Sequence, residues 1–134
     1  MKSYKVKPIV DAGKPVEGEG LVVEKPISFL GDVDPDTGVL RMPDSEMRGS
    51  PLKGRILFAP YGRGSTVGSY IMYALRRNGV NPHAIVMHKA EPIIITGAVI
   101  SGIALYEGMP LEFYSKPRYL RRVLINSDKV EVYE

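Results

Sequence analysis

Residues 59–79 of the chain read APYGRGSTVGSYIMYALRRNG. Within them, Gly62-Arg63-Gly64-Ser65-Thr66-Val67-Gly68-Ser69 gathers a guanidinium and three hydroxyls among three glycines. Glycines let a backbone bend sharply and approach a ligand closely. A helix starting here leaves its first-turn amides unpaired, and its dipole favours negative charge at that end. Arg63 adds a fork-shaped cation suited to carboxylate or phosphate. Ser65 or Thr66 also stands where a helix N-cap belongs. A third role falls to Ser65: a serine is a poor base, but a guanidinium, a helix N-terminus and backbone donors would each stabilise its alkoxide. Residue chemistry alone leaves cap, anion site and catalytic serine all open. No stock phosphate or nucleophile motif settles it. The third glycine of G-x-G-x-x-G comes one residue late at Gly68, no lysine follows as in a P-loop, and G-x-S-x-G is absent.

Other reactive residues give weaker patterns. Asp32-Val33-Asp34-Pro35-Asp36 starts like a calcium loop, but Thr37 takes the glycine position and Pro43 the bidentate-glutamate position. A turn capped by aspartates is expected instead, with a role for Asp32 or Asp34 at the rim of a site left open. His83 and His88 lie five apart, on opposite faces of a strand, so they form no ready metal pair. No metal ligand set is expected. Lys89-Ala90-Glu91-Pro92 follows an expected strand end, where parallel sheets place ligands, and reads as a strand-to-strand loop or a pocket lining. Tyr70 and Tyr73 flank an expected helix core face and read as packing, while Met42, Met47, Met72, Met87 and Met109 share no stripe and read as filler.

The elements around the glycine loop follow from apolar spacing. Ile56-Leu57-Phe58-Ala59 is a continuous run suited to a strand buried on both faces. After the loop, Val67, Ile71, Ala74 and Leu75 fall on one helical face. Arg76 and Arg77 suit the last turn, and Asn78-Gly79 ends it. Ala84-Ile85-Val86-Met87 then completes a βαβ unit with an expected right-handed crossover. Ile93-Ile94-Ile95 reads as a further strand, Gly97 to Leu105 as a short helix, and Leu111-Glu112-Phe113-Tyr114 as another strand. Val123–Ile125 and Val130–Tyr133 flank Asn126–Lys129 as a closing hairpin. The first fifty residues are proline-punctuated, with short strands at Leu21–Val23 and Ile27–Leu30, a turn at Asp34–Gly38, and an exposed polar loop from Arg41 to Lys53.

Composition sets the frame. The chain has 134 residues, 44% apolar and 25% charged, which suits one soluble α/β domain spanning 1–134 with a β-rich N-terminal half. The absence of cysteine removes disulfides, thiolate nucleophiles and thiolate metal sites, so any iron–sulfur cluster must be ligated by another chain. It also fits a reducing cytoplasm. Met1–Lys5 leads into no long apolar run, so no secretory signal is expected, and Pro92–Leu105 is too short and broken to span a membrane. The net charge of +3 is mild. Lys116, Arg118, Arg121 and Arg122 read as a solvated basic face or a contact for an anion or acidic partner. The eight tyrosines do not interleave with basic residues as a nucleic-acid stacking platform requires.

Three segments together resemble a known family. They are Gly31-Asp32-Val33-Asp34-Pro35-Asp36-Thr37-Gly38, then Gly54–Leu57 leading to Pro60–Tyr70, then Glu91-Pro92-Ile93-Ile94 with Gly97-Ala98. The chain resembles the small, swivel-domain subunit of the aconitase X group over nearly its whole length, from about Gly18 to Tyr133. The resemblance implies a swivelling β/β/α domain related to the aconitase swivel domain. It implies a hydro-lyase of two subunits, with the iron–sulfur cluster on the large one and no cofactor on this one. For archaeal members it implies dehydration of 5-phosphomevalonate to trans-anhydromevalonate 5-phosphate, on the way to isoprenoids. The family's proton-accepting serine falls on Ser65. Arg63, Gly64 and Thr66 are then expected to contact the substrate anion. Two other readings stay open: a different aconitase X reaction, such as dehydration of a hydroxyproline, and a non-catalytic anion-binding or scaffolding domain. A docking face is expected around the β-rich first half.

Overall fold

Four parallel strands with sequential neighbours form the centre of the molecule, and their residue types dictate it. Ile56–Ala59 (β4) and Ala84–Met87 (β5) are buried at every position, as continuous apolar runs covered on both faces must be. In the computed structural model, which describes residues 1–64 and 66–134, β4 pairs on one side with Val16–Val22 (β3). On its other side β4 pairs with β5, which pairs in turn with Ala104–Glu107 (β6). The helices Val67–Arg77 (α2) and Pro92–Ser101 (α3) are the crossovers between β4, β5 and β6. The β3-to-β4 connection carries the single helical turn Phe29–Asp32 (α1).

The rest of the sheet is antiparallel and closes the molecule. Arg118–Asn126 (β7) pairs with β3, and Lys129–Tyr133 (β8) returns along β7 after a two-residue turn, with Ser127 at φ +59°. Lys2–Lys5 (β1) pairs with β8, and Lys7–Val10 (β2) pairs with β6. The strand order is therefore β1-β8-β7-β3-β4-β5-β6-β2, and its two ends are consecutive pieces of one N-terminal stretch. That stretch closes the sheet on itself, so no long free edge remains.

Two cores result. Inside the ring lie Val22, Ile56, Phe58, Val86, Tyr106, Leu120 and Val132 with their neighbours. The 3-10 turn Leu111–Ser115 plugs its mouth, and Phe113 lies 5.1 Å from Phe58. On the outer face of the parallel strands, Leu21, Leu57, Ile85 and Leu105 pack under Phe29, Leu40, Leu52, Met72, Leu75 and Ile94. The layers are thus strand, strand and helix, as expected.

Several local readings need correction. Ile93–Ile95 is helical, the start of α3, because Pro92 occupies the first helical position, where its missing N–H costs nothing. Residues 104 and 105, expected to end a helix, open strand β6. Leu111–Tyr114 is not a strand, because Phe113 and Tyr114 both turn inward to fill the ring. Ile27 makes only an isolated parallel bridge to Gly62, and the chain turns into α1 at Phe29. The Arg41–Lys53 loop is not wholly exposed: Met42, Met47 and Leu52 are core residues. The Asp34–Gly38 turn forms as expected, with the Gly38 amide donating to the Asp34 carbonyl (2.7 Å) and the Asp36 amide donating to Asp34 Oδ1 (2.9 Å).

The α2 face also differs. Ser69, Met72 and Leu75 face the core and Ile71 packs against its margin, so of the four expected positions Leu75 is borne out fully and Ile71 in part, while Val67, with Tyr70 and Tyr73, is exposed. Ser69 can be buried because its Oγ donates to the Ile93 carbonyl (3.1 Å). The C-terminus follows expectation. Gly79 at φ +70° lets its amide bond to Arg76 O (3.1 Å) while the Val80 amide bonds to Leu75 O (3.0 Å).

Candidate functional site

The glycine loop leaves the C-terminal end of β4 and enters α2, at the sheet end where open α/β folds place ligands. Ser65 lies outside the described residues, and the site is built from those on either side of it. Main-chain bonds anchor the loop's first half. The Ile27 amide donates to Tyr61 O (2.9 Å), and the Arg63 amide donates to Ile27 O (2.9 Å). The carbonyl of Pro60 accepts from the amides of His88 (3.1 Å) and Lys89 (3.3 Å), which ties the loop to the end of β5. Gly62 is buried between these supports. Gly64 takes φ +117°, a region other residues rarely adopt, and a Cβ there would lie 3.0 Å from Ser28 Oγ. Behind Ser28, the buried Asp32 accepts its amide through Oδ2 (2.8 Å). Asp32 thus braces the loop's neighbour, whereas Asp34 holds the exposed turn beyond it.

The residues expected to bind an anion are presented outward. Arg63, Gly64 and Thr66 are all exposed. Thr66 is the residue before α2, but it has helical dihedrals (φ −56°, ψ −22°) and its side chain makes no cap bond. Its carbonyl accepts from the Ser69 amide (3.1 Å). The capping expectation therefore fails for Thr66, and for Ser65 it falls on the residue outside the description. Two grooves of about 600 and 570 Å³ lie elsewhere, one lined by Lys2, Phe113 and Arg118 and the other by Lys14, Arg76 and His83, and no glycine-loop residue lines either.

The stretch after β5 forms the other bank of the site. His88 Nδ1 donates to Met109 O (2.8 Å), and its ring meets the Tyr61 ring edge-on at 5.6 Å. The Ala90 amide donates to Glu107 Oε1 (2.9 Å). Residues 89–92 join a strand to a helix, not to another strand, and Glu91 sits immediately before α3 in extended conformation. Its side chain makes no cap bond. Its Oε1 is shielded from solvent and has no hydrogen-bond partner among the described residues. A Cβ on Gly62 would lie 2.8 Å from that oxygen, so the carboxylate occupies space that a side chain at 62 would take. Sequence reading left residues 89–92 as a strand-to-strand loop or a pocket lining and had no signal for an orphaned acceptor.

His83, at the opposite strand end, is exposed, with Nδ1 3.4 Å from Glu17 O. Among the described residues no group of three His, Cys, Asp or Glu side chains is arranged to hold a metal. No helix among them is long and apolar enough to cross a membrane.

A closed mixed sheet with helices on one side, carrying an outward-facing glycine–arginine loop at the C-terminal strand ends, defines a swivel-type α/β domain. The chain belongs to the aconitase X swivel domain family, which matches residues 3–133. It is 53% identical over 117 residues to a phosphomevalonate dehydratase small subunit of Pyrococcus abyssi, spanning 87% of this chain and 88% of that one. It is 48% identical over 125 residues to the protein of the same name from Aeropyrum pernix, spanning 93% and 88%. Its fold matches the crystal structure of Thermococcus kodakaraensis aconitase X in its holo-form, with a TM-score of 0.87 and 40% identity over the full length of both chains. These relatives support the role of small subunit in a dehydratase complex, and with it a larger partner chain.

Proposed function

We propose that this chain, acting as one unit over residues 1–134, is the swivelling small subunit of a cytoplasmic two-chain dehydratase. The complex converts (R)-5-phosphomevalonate to trans-anhydromevalonate 5-phosphate and water in the archaeal route to isoprenoids. The observation that carries the reading is the extent of similarity to phosphomevalonate dehydratase small subunits, 53% identity over 87% of the chain. The open rim supports it physically. Arg63, Gly64 and Thr66 are exposed with no described residue covering them, and a second chain closing over them would complete the site and exclude water. In this reading Ser65 takes the carbon-bound proton, and Arg63 with the loop amides holds a substrate anion.

This chain has no cysteine to hold an iron–sulfur cluster, which belongs on the large subunit. Bound there, the cluster supplies Lewis acidity for the departing hydroxide. A base carried by a separate chain reaches the substrate when the two chains close together.

The test is anaerobic assay of the co-expressed complex on 5-phosphomevalonate and on a 3-hydroxyproline control. Ser65→Ala is expected to lower kcat by about 10²–10⁴-fold while the complex still forms. Arg63→Ala is expected to raise KM with a smaller change in kcat. Full turnover by Ser65→Ala removes the serine from this role. Preference for hydroxyproline reassigns the substrate.

A further inference from the structure

The outer face of the helical layer is apolar where a solvated surface is ordinarily charged. Among the described residues ten large apolar or aromatic side chains are exposed, and six of them lie on α1, α2 and α3, elements of only 4, 11 and 10 residues. Tyr70 (69% exposed) and Tyr73 stand on α2, Val99 (60%) and Ile100 on α3, and Leu30 on α1. No charged residue occurs in 67–75 or in 92–101, although 25% of the chain is charged. α3 is apolar on every side, and a helix of that kind is ordinarily buried. Here Pro92, Val99 and Ile100 are exposed. Missing charge together with exposed tyrosine is the composition of an interface centre.

The two longer helices present this face as one surface. Ser69 Oγ donates to Ile93 O (3.1 Å) near their starts, and Arg76 Nη1 donates to Gly102 O (3.4 Å) at their ends. Between these bonds Gly97 meets α2 so closely that a Cβ there would lie 2.4 Å from Met72 Sδ. Two helices about 15 Å long and roughly 8–10 Å apart offer a footprint of about 300 Å². A stable interface needs about 800 Å² a side, so an occupant also covers adjoining ground. The glycine loop is such ground, because the exposed Thr66 leads directly into α2.

The margins decide between occupants. Arg63 at the head of α2, Arg76 and Arg77 at its foot and Lys89 before α3 are all exposed, and neither helix carries an acidic residue. A second copy related by a twofold axis would set basic margin against basic margin, which opposes association. A different chain with an apolar centre and an acidic rim fits. We propose, on the two-chain reading above, that the outer face of α2 and α3, continuous with the glycine loop, is the docking surface for the larger chain of the dehydratase. The docking face then lies on the helical layer rather than on the β-rich first half, where sequence reading expected it. One contact serves both to hold the larger chain and to bring it over Arg63.

The test is assembly of the co-expressed pair, captured through a tag on the larger chain, with Kd measured by titrating the purified chains against each other. Tyr70→Lys and Ile100→Lys each put a charge into the apolar centre, from different helices and at exposed positions. Each is expected to weaken assembly by about tenfold or more, with thermal unfolding of the isolated chain unchanged. Lys5→Glu, on β1 in the β-rich half, is expected to leave Kd unchanged. Arg76→Glu combined with Arg77→Glu is expected to slow association and weaken its salt dependence. Wild-type affinity in a folded lysine variant, a larger loss in Lys5→Glu, or unslowed association of the double glutamate variant overturns the assignment. An isolated chain that sediments as a dimer, dissolved by Tyr70→Lys, gives the face to a second copy and overturns it too. If one lysine variant unfolds, the variant on the other helix supplies the measurement. Failure of the two-chain reading looks different: the wild-type chain itself would then not be captured, and the docking surface would fall with it.

Discussion

Gly62→Ala tests whether the loop and α3 are packed as tightly as the structure has them. The added Cβ would lie 2.3 Å from Ile94 Cγ1, 2.7 Å from Ile94 Cδ1 and 2.8 Å from Glu91 Oε1. All three are closer than real Cβ contacts, and Ile94 is a poor candidate to yield. It is buried, and in a helix a β-branched side chain has one strongly preferred χ1. The start of α3 must move instead. Overpacking of this kind costs about 1–3 kcal/mol. Gly62 does not occupy the left-handed region, so replacing it returns about 0.4–1 kcal/mol by restricting the unfolded chain. The net is a destabilisation of about 1–2 kcal/mol, or roughly 3–10 °C in Tm for a domain of this size. Thermal unfolding followed by circular dichroism measures it. Ile94→Ala removes the clashing atoms at a cost of its own, about 2–4 kcal/mol, and in that background Gly62→Ala should cost much less. Equal cost in both backgrounds, or a Gly62→Ala chain as stable as wild type, would refute the packing argument.

Two further outcomes concern stability away from the loop. Burial pushes the Tyr114 phenol well above its ordinary range, and its hydroxyl donates to Val86 O (2.9 Å) inside the ring. Tyr114→Phe should therefore cost about 1 kcal/mol in urea unfolding, and a neutral result would mean the bond contributes nothing. At the ring's mouth, Arg118 grips both Glu134 oxygens at 3.0 Å and holds that carboxyl below its usual range. A depressed carboxylate stabilises fully above its ordinary value near 4.5, and the contribution is lost as pH falls through the lowered one. Because Glu134 is largely exposed, the effect is under about 1 kcal/mol. Glu134→Gln should flatten the acid side of the stability profile below pH about 4.5 and change little at neutral pH.

What the sequence made legible was whatever local periodicity controls. Ile56–Ala59 and Ala84–Met87 could be read as doubly buried strands because nothing polar interrupts them. The hairpin around Ser127-Asp128 followed from its flanking alternation. Ile93–Ile95 misled because three isoleucines suit a strand by propensity, while the deciding signal was the single proline before them. Leu111–Tyr114 misled because tertiary packing, with two aromatic side chains entering the same core, overrides alternation. Ring closure was invisible because it joins Lys2–Val10 to strands near the other end of the chain. At the site, the glycine–arginine segment announced itself through residue type. Glu91 did not, since its significance lies in a missing bond and in its approach to Gly62, neither of which is encoded in spacing.

The N-terminal stretch that seals the ring also orders the chain's assembly in time. Residues 2–10 leave the ribosome well before the residues they pair with, 105–107 and 129–132. Until those appear, the opening segment has nothing to pair with, and the half-built sheet exposes two raw margins. Such distant pairing slows folding, so nascent copies should depend on chaperone shelter more than the small size of this domain suggests.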